Sequence, residues 1–166
     1  MTIKWDLKTI VKEIAIATIF IFILTNIISY IRKPELSSNT LPQLEVQLLD
    51  GSLYNIKDAK PLVLHFWGIW CPTCQLEIGN IEYISKKYEV LTIAVNSGDD
   101  NKLTQYLNEK ELTFRVLNDN RGRWAKKFNV EAYPTTFIYD EKGELIFTEV
   151  GYTTTAGLLA RLALIK

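Results

Sequence analysis

The sequence predicts an α/β domain built on a mixed β-sheet and preceded by one membrane-spanning helix. Three observations support this prediction: an uncharged apolar stretch near the N-terminus, alternating strand-like and helix-like runs after it, and two late strands flanking Asp140-Glu141-Lys142-Gly143 as an antiparallel hairpin. The chain has 166 residues, of which 48% are hydrophobic and 23% charged. It is therefore long enough for one compact domain and too apolar for wholesale disorder.

The charge balance excludes some classes of function. With 19 basic and 19 acidic side chains, the chain offers no reason to expect nucleic acid as a partner. One histidine leaves little basis for a Ser-His-Asp hydrolase, and two cysteines supply few ligands for a metal. Residues 1–33 contain five basic and two acidic side chains, a net charge of +3, which leaves −3 on residues 34–166. This asymmetry indicates an anchor next to a mildly acidic domain.

Residues 14–31 carry no charge and form the predicted anchor. At about 1.5 Å per residue they span about 27 Å as a helix, close to the thickness of a hydrocarbon core. The stretch is apolar on every face, which argues against a buried core helix. The flank Ser29-Tyr30-Ile31-Arg32-Lys33 has no small-x-small cleavage site, which argues against a cleaved signal peptide. We predict an uncleaved signal-anchor.

The flanking charges predict the orientation of this anchor. Three lysines precede the apolar stretch and two basic residues follow it, which places residues 1–13 in the cytoplasm and the soluble domain outside. Residues 32–41 are predicted to be a polar linker, and residues 42–166 the soluble domain.

In the soluble domain, Asp50-Gly51 is a hairpin turn between two short strands. Residues 62–67 are apolar on both faces, as in a central strand covered on each side. The predicted strands are 44–48, 53–56, 62–67, 90–95, 113–117, 135–139 and 144–150, and the predicted helices are 71–88, 101–110, 121–128 and 155–165. The order after the hairpin, β-α-β-α-β-α-β-β-α, predicts a central mixed sheet flanked by helices.

Both cysteines lie in Cys71-Pro72-Thr73-Cys74, at the junction between a buried strand and a helix. Free N–H groups and the positive dipole end of the helix stabilise a thiolate at Cys71 and lower its pKa. Pro72 suits the first helical turn, where its missing donor costs nothing. Cys74 falls on the buried stripe of the helix. Cys71 is therefore the predicted nucleophile and Cys74 the resolving thiol.

Three alternatives compete with a catalytic dithiol. A structural disulfide across so small a loop removes little chain entropy. A structural zinc site needs four ligands, whereas the two cysteines and His65 make three. The placement of both cysteines at a strand–helix junction argues against two inert buried thiols. We therefore predict a catalytic dithiol with no metal and no cofactor.

The run Phe66-Trp67-Gly68-Ile69-Trp70-Cys71-Pro72-Thr73-Cys74 resembles the active site of the thioredoxin superfamily, and Tyr133-Pro134-Thr135-Thr136-Phe137 resembles its cis-proline loop. The Asp50-Gly51 hairpin and the N-terminal anchor are similar to the membrane-tethered TlpA/ResA branch. Within that branch, residues 91–100 and 112–119 most resemble the suppressor-of-copper-sensitivity group ScsD. The likeness implies a thioredoxin-like fold.

The resemblance also implies a function: a bacterial thiol-disulfide oxidoreductase, tethered by one helix to the inner (cytoplasmic) membrane, with its catalytic domain facing the periplasm or the outside. Cys71 would attack a disulfide and Cys74 would resolve the mixed disulfide. Pro134 would be cis and packed against the cysteine pair, leaving the backbone of Tyr133 free to pair with a substrate strand. Trp70 would cover the site as an apolar docking face, the alternative being a core aromatic.

Two residues depart from the superfamily pattern. Many thioredoxins have a buried carboxylate six residues before the first cysteine, where this chain has His65. A neutral imidazole, its pKa lowered by burial, could take the proton of Cys74; a hydrogen-bonded core histidine without a role is the alternative. Tyr133 is bulkier than the Thr, Val or Ala expected before the proline, which bears on the choice of partner.

Three functions remain open. The first is a reductant or exchanger of disulfides in exported proteins, recharged by a membrane electron-transfer protein of the DsbD or ScsB kind. The second is a dedicated reductant in cytochrome c maturation, ranked lower because Thr135-Thr136 follow Pro134 without the glutamate usual in that branch. The third is a copper-binding module, for which one Met, one His and two Cys are a thin set of soft ligands.

Overall fold

The structure is a computed structural model that describes residues 7–36, 38–42, 45–56 and 61–165. It divides into two compact units, the first ending at Arg32 and the second beginning at Lys33. Residues 1–6 of the predicted cytoplasmic segment lie outside the described residues, as do Leu44 of the first predicted strand and Lys166 at the C-terminus.

The first unit is the helix α1 (Leu7–Ile31). Its segment Lys8–Ser29 is long and apolar enough to cross a membrane. The helix begins seven residues before the uncharged stretch. Lys8, Lys12 and Glu13 have a high helix propensity, although their charges are unfavourable in the hydrocarbon core. Large apolar side chains from Val11 to Ile31 are exposed along it.

The second unit begins with a small antiparallel sheet of β1 (Glu45–Gln47) and β2 (Leu53–Asn55), as the Asp50-Gly51 turn predicts. Gly51 has a φ of +83°, a conformation that glycine adopts without steric cost. Beside this turn, the backbone N–H of Leu49 donates to the carbonyl of Val116 over 2.8 Å. The hairpin is therefore hydrogen-bonded to the edge of the main sheet.

The main sheet has five strands in the order β5-β4-β3-β6-β7. The strands are β3 (Leu62–Trp67), β4 (Val90–Val95), β5 (Arg115–Asp119), β6 (Thr135–Tyr139) and β7 (Leu145–Val150). The first three are mutually parallel, and β6 and β7 are antiparallel to their neighbours. The predicted mixed sheet is confirmed, and every residue of β3 and β4 is buried, as their continuous apolar runs predict.

Four helices flank this sheet: α2 (Pro72–Ser85), α3 (Asp100–Glu109), α4 (Arg123–Lys127) and α5 (Thr155–Ala163). Helix α4 begins two residues later than predicted. The carboxylate of Asp119 accepts the backbone N–H groups of Arg123, Trp124 and Ala125, which fixes the first turn there. Helix α2 ends at Ser85, three residues before the predicted end.

Strand β5 is displaced from its predicted position at residues 113–117. It begins at Arg115 because the carboxylate of Glu82 on α2 accepts the backbone N–H groups of Thr113 and Phe114. Those two donors are then unavailable to the sheet. A side chain about thirty residues away along the chain thus sets the start of the strand.

Contacts with the domain begin upstream of residue 42. Leu41 is buried in the core, and its N–H donates to the carbonyl of Gly143 over 2.7 Å. The side-chain amide of Asn129 donates to the carbonyl of Glu35 over 2.6 Å. Part of the segment predicted to be a linker therefore packs on the domain.

The sheet separates two hydrophobic cores. Leu62, Leu64 and Phe66 of β3 lie in the core that includes Phe128, whereas Val63 and Trp67 lie in the core that includes Cys74 of α2 and Leu158 of α5. Because side chains alternate along a strand, His65 faces the same side as Val63 and Trp67. The face covered by α2 and α5 is the one that supports the cysteine motif.

Candidate active site

Cys71 and Cys74 form a disulfide, with their Cα atoms 5.2 Å apart. Strand β3 delivers the chain to this point, and α2 begins directly after Cys71. Cys71 is the N-cap residue in an extended conformation, and Pro72 occupies the first turn, as predicted. The Sγ atom of Cys71 accepts the backbone N–H of Cys74 over 3.2 Å. The helix N-terminus therefore stabilises negative charge on this sulfur when the disulfide is opened.

Cys71 and Cys74 differ in solvent exposure. Cys71 is 5% exposed and Cys74 is fully buried. Pro72 beside them is exposed and Thr73 is partly buried. An incoming group therefore reaches Cys71 first, which agrees with Cys71 as nucleophile and Cys74 as resolving thiol.

Trp70 directly precedes Cys71 and is half exposed, so it is not a core side chain. Its Nε1–H donates to the carbonyl of Val95 at the end of β4 over 2.9 Å. Its ring meets the ring of Tyr133 edge to face, with centroids 5.3 Å apart. A Cβ atom on Gly68 would lie 2.6 Å from the same Nε1 atom, so the loop accommodates the indole only with glycine at residue 68.

The loop before β6 lies against the same disulfide. The Tyr133–Pro134 peptide bond is cis, the form implied by the resemblance, and Pro134 is buried. The carbonyl oxygen of Tyr133 lies 3.7 Å from the Sγ atom of Cys71. The structure thus brings Trp70, Cys71, Tyr133 and Pro134 together at one end of the sheet.

His65 lies in β3 beneath this site and is fully buried. Its Nδ1 atom lies 2.9 Å from the hydroxyl oxygen of Thr136. Its Nε2 atom has no hydrogen-bond partner in the described part of the chain. Burial lowers the pKa of His65 from 6.5 to about 3, so the imidazole is neutral near pH 7. Such a low pKa makes the ring a weak base for a thiol proton.

Glu77 is a buried acid at this site that the sequence analysis did not identify. It lies on α2 three residues after Cys74 and is fully buried. Its Oε1 atom accepts the backbone N–H of Thr153 over 3.2 Å, and its Oε2 atom has no partner within the described ranges. Burial raises the pKa of Glu77 from 4.5 to about 8; the Thr153 N–H opposes this and the charge of Glu149 adds to it. In the sequence, the feature that could have identified Glu77 is the presence of a charged residue one helical turn after Cys74.

This arrangement suits two-electron exchange between a dithiol and a disulfide. The Sγ atom of Cys71 lies at a helix N-terminus, Cys74 is fully buried, and the buried acid Glu77 has a pKa near that of an ordinary thiol. Among the residues that the structure describes, no group of three or more His, Cys, Asp or Glu side chains is placed to hold a metal ion.

Fold and site together define a thioredoxin-like thiol-disulfide oxidoreductase: a disulfide at the start of a helix, after the central strand of a mixed sheet and beside a cis-proline. The chain belongs to the Redoxin family, which its residues 36–162 match.

Named relatives agree with this class. The chain is 31% identical over 134 residues to the thiol-disulfide oxidoreductase ResA of Geobacillus kaustophilus, covering 77% of each chain. It is 32% identical over 122 residues to the thiol:disulfide interchange protein DsbE of Vibrio cholerae, covering 70% of this chain and 66% of that protein. The crystal structure of the exposed lipoprotein thioredoxin of Streptococcus pneumoniae superimposes with a TM-score of 0.65 at 25% identity, covering 74% of this chain and 98% of that one. The chain is thus a TlpA/ResA-type enzyme of thiol-disulfide exchange.

Proposed function

We propose that this protein reduces disulfides of exported proteins outside the cytoplasm while α1 holds it in the inner membrane. The observation that carries the proposal is the difference in access within the disulfide. Cys71 keeps an exposed fraction of 5% beside the exposed Trp70 and Pro72, whereas Cys74 is fully buried. This asymmetry suits a protein substrate that docks at Cys71 and leaves once Cys74 has attacked.

The proposed cycle starts from the reduced pair. The Cys71 thiolate attacks one sulfur of the substrate disulfide, and the other substrate sulfur leaves as a thiolate. Cys74 then loses its proton and attacks the Sγ atom of Cys71, which releases the second substrate thiolate. Two electrons pass from the cysteine pair to the substrate, and the Cys71–Cys74 disulfide forms.

Glu77 is the proposed acceptor of the Cys74 proton. Residues three apart on a helix are surface neighbours, with Cβ atoms about 5–6 Å apart, and both side chains face the buried side of α2. The Oε2 atom, which has no hydrogen-bond partner among the described residues, provides the accepting position. A proton acceptor works best when its pKa lies near the working pH, which fits Glu77 and does not fit His65.

The placement outside the cytoplasm is supported by two features. The helix α1 is long and apolar enough to span a bilayer, and the charges around it follow the positive-inside rule with residues 1–13 in the cytoplasm. A pneumococcal protein of the same fold is described as an exposed lipoprotein. Fusion of alkaline phosphatase after residue 166 tests the orientation: activity in cells supports it, and inactivity of an intact fusion overturns it.

Within the TlpA/ResA branch we propose an ScsD-type protein, on the basis of residues 91–100 and 112–119. Its oxidised form would be recharged by a membrane electron-transfer protein of the DsbD or ScsB kind. Such a donor is needed because each turnover leaves the cysteine pair oxidised.

The reduction potential of the Cys71–Cys74 pair tests the proposed direction of electron flow. It is measured on the whole chain in detergent micelles, by equilibration with glutathione. A potential near −270 mV, typical of thioredoxin, supports a reductant, and one near −120 mV identifies an oxidant and overturns the proposal.

Two further measurements separate the alternatives. Loss of c-type haem attachment in a deletion strain would identify the cytochrome c maturation enzyme in place of a general reductant. Stoichiometric Cu(I) retention through gel filtration would identify the copper-binding module.

A further inference from the structure

Four exposed basic side chains lie on and directly before α4. They form what we call the α4 patch: Arg121, Arg123, Lys126 and Lys127. Residues three and four positions apart on a helix are surface neighbours, so Arg123, Lys126 and Lys127 share one face of α4. Residues 121–127 hold four basic and no acidic side chains, whereas the rest of residues 34–166 hold ten basic and seventeen acidic ones. This surface is therefore positive on a domain that is otherwise acidic.

The charges of the α4 patch are not neutralised by carboxylates of the domain. In the part of the chain that the structure describes, none of its four side chains forms an ion pair. Asp119 is buried, and its carboxylate accepts three backbone N–H groups of α4. The next acid along the chain, Glu131, is exposed, and its single charge leaves the surface positive. Such a surface suits a negatively charged partner outside the domain.

An aromatic ring lies within the same surface. Trp124 is partly buried, and its ring stacks on the ring of Phe128 with centroids 6.0 Å apart. The Nζ atom of Lys127 lies 5.3 Å from the centroid of the Trp124 ring. Tryptophan is enriched at membrane–water interfaces, and anionic lipid headgroups attract basic side chains. The combination of one tryptophan with four basic residues therefore favours a lipid surface as the partner.

The chain connects this surface to the proposed membrane anchor. Asn129, two residues after the end of α4, donates its side-chain amide to the carbonyl of Glu35 over 2.6 Å. Leu36 packs against the same hydrophobic core as Trp124. Glu35 comes three residues after Arg32, the first charged residue after the apolar stretch, and three extended residues span at most about 11 Å. If α1 spans the bilayer as proposed, the bilayer surface therefore lies near Glu35 and Asn129.

We propose that the α4 patch rests on anionic phospholipid headgroups of the membrane that holds α1, and that this contact orients the catalytic domain. The inference rests on the membrane anchoring proposed above. Helix α4 packs on one hydrophobic core, and α2 packs on the other with Cys71 and Cys74. Because the sheet separates these cores, contact through α4 directs α2 away from the bilayer. The short connection to the anchor holds the α4 patch at a high effective concentration near the lipid, so few charges are enough.

The direct test measures how close Trp124 lies to the headgroups when the oxidised whole chain is inserted in vesicles. Energy transfer from tryptophan to dansyl-labelled headgroups is recorded in the parent and in W124F, and the difference reports Trp124. We expect this transfer to be about twofold greater or more in vesicles with about 30% phosphatidylglycerol than in neutral phosphatidylcholine vesicles. Raising the NaCl concentration from about 0.1 M to about 0.5 M should remove the excess, because salt screens the attraction.

Two paired substitutions locate the effect on the surface of the domain. K126Q/K127Q removes two charges of the α4 patch and should reduce the excess transfer by about half or more, whereas K126R/K127R keeps the charges and should match the parent. K86Q/K87Q is the matched control. It removes two adjacent exposed lysines directly after α2 and should leave the excess unchanged.

Equal transfer in anionic and neutral vesicles would overturn the inference and leave an acidic protein segment as the partner of the α4 patch. The same loss in K86Q/K87Q as in K126Q/K127Q would also overturn it, because the attraction would then follow net charge and not this surface.

Flotation of the vesicles separates this inference from the proposed anchoring. A parent chain that does not float with the vesicles overturns both the anchor and the inference. A chain that floats with them but shows no excess transfer overturns the inference alone.

Discussion

Cys74 and Glu77 lie one helical turn apart on the buried face of α2, and both side chains are fully buried. In the proposed cycle Cys74 must lose its proton before it attacks, and its side chain is fully buried. The carboxyl group of Glu77 keeps one oxygen without a partner in the described chain, and its pKa of about 8 lies close to that of a thiol. The fold therefore places a carboxyl group suited to the proposed role of proton acceptor where solvent is excluded.

The roles of the two cysteines predict opposite results for single serine variants. C74S should accumulate a mixed disulfide with a substrate, because Cys71 still attacks and nothing resolves the product. C71S should accumulate none, since the remaining thiol is fully buried. Non-reducing gels of cells grown with each variant provide the measurement. Trapping by C71S at the level of C74S would reverse the two assignments.

Glu77 should control the second chemical step. In E77Q we expect resolution by Cys74 to slow about tenfold or more, while attack by Cys71 changes little, since general-base assistance contributes at least about a hundredfold at many sites. Stopped-flow tryptophan fluorescence resolves the two steps. H65N is the companion variant, because asparagine can still bond to Thr136. If H65N slows resolution while E77Q behaves like the parent, His65 and not Glu77 accepts the proton of Cys74.

The stability of the oxidised chain should depend on pH through both buried groups. The pKa of Glu77 rises on folding from 4.5 to about 8, so between these values the folded chain holds a proton that the unfolded chain has lost, and the free energy of unfolding falls as pH rises. The pKa of His65 falls from 6.5 to about 3, which gives the opposite trend over that range.

Because the two trends oppose each other between about pH 4.5 and 6.5, the effect of Glu77 should stand alone above pH 6.5. There we expect a decline of at most about 1.4 kcal/mol per pH unit in the parent. The decline should be absent in E77Q and kept in E131Q, which alters an exposed acid. Denaturant unfolding at pH 6.5 and 8 is the measurement, and an equal decline in E77Q would contradict the assignment.

Gly68 should be required for the position of Trp70. The Cβ atom in G68A would lie 2.6 Å from the indole nitrogen, so the ring must move and lose its hydrogen bond to Val95. We expect a red shift in Trp70 fluorescence, measured against W70F, and slower attack on protein substrates. G79A is the matched control, because its added Cβ meets no atom within 4 Å apart from its chain neighbours and the backbone of its own helix. In the α2 interior that change should stabilise the fold by about 0.5–1 kcal/mol.

Features that depend on residues adjacent in the chain could be predicted from the sequence. Strands β3 and β4 have the predicted bounds because continuous apolar runs can only be buried on both faces. The placement of Cys71 at a helix N-terminus followed from the strand before it and Pro72 after it. The order of strands and helices was enough to predict the mixed sheet.

Contacts between residues far apart in the chain set the features that no local pattern predicts. Glu82 fixes the start of β5 from thirty-one residues away, and Thr153 holds Glu77 from seventy-six residues away. No local pattern marks a glutamate whose burial is created by a later loop packing over it. The burial that gives Glu77 its pKa arises only when α2, β7 and α5 come together, because desolvation is a property of the whole fold.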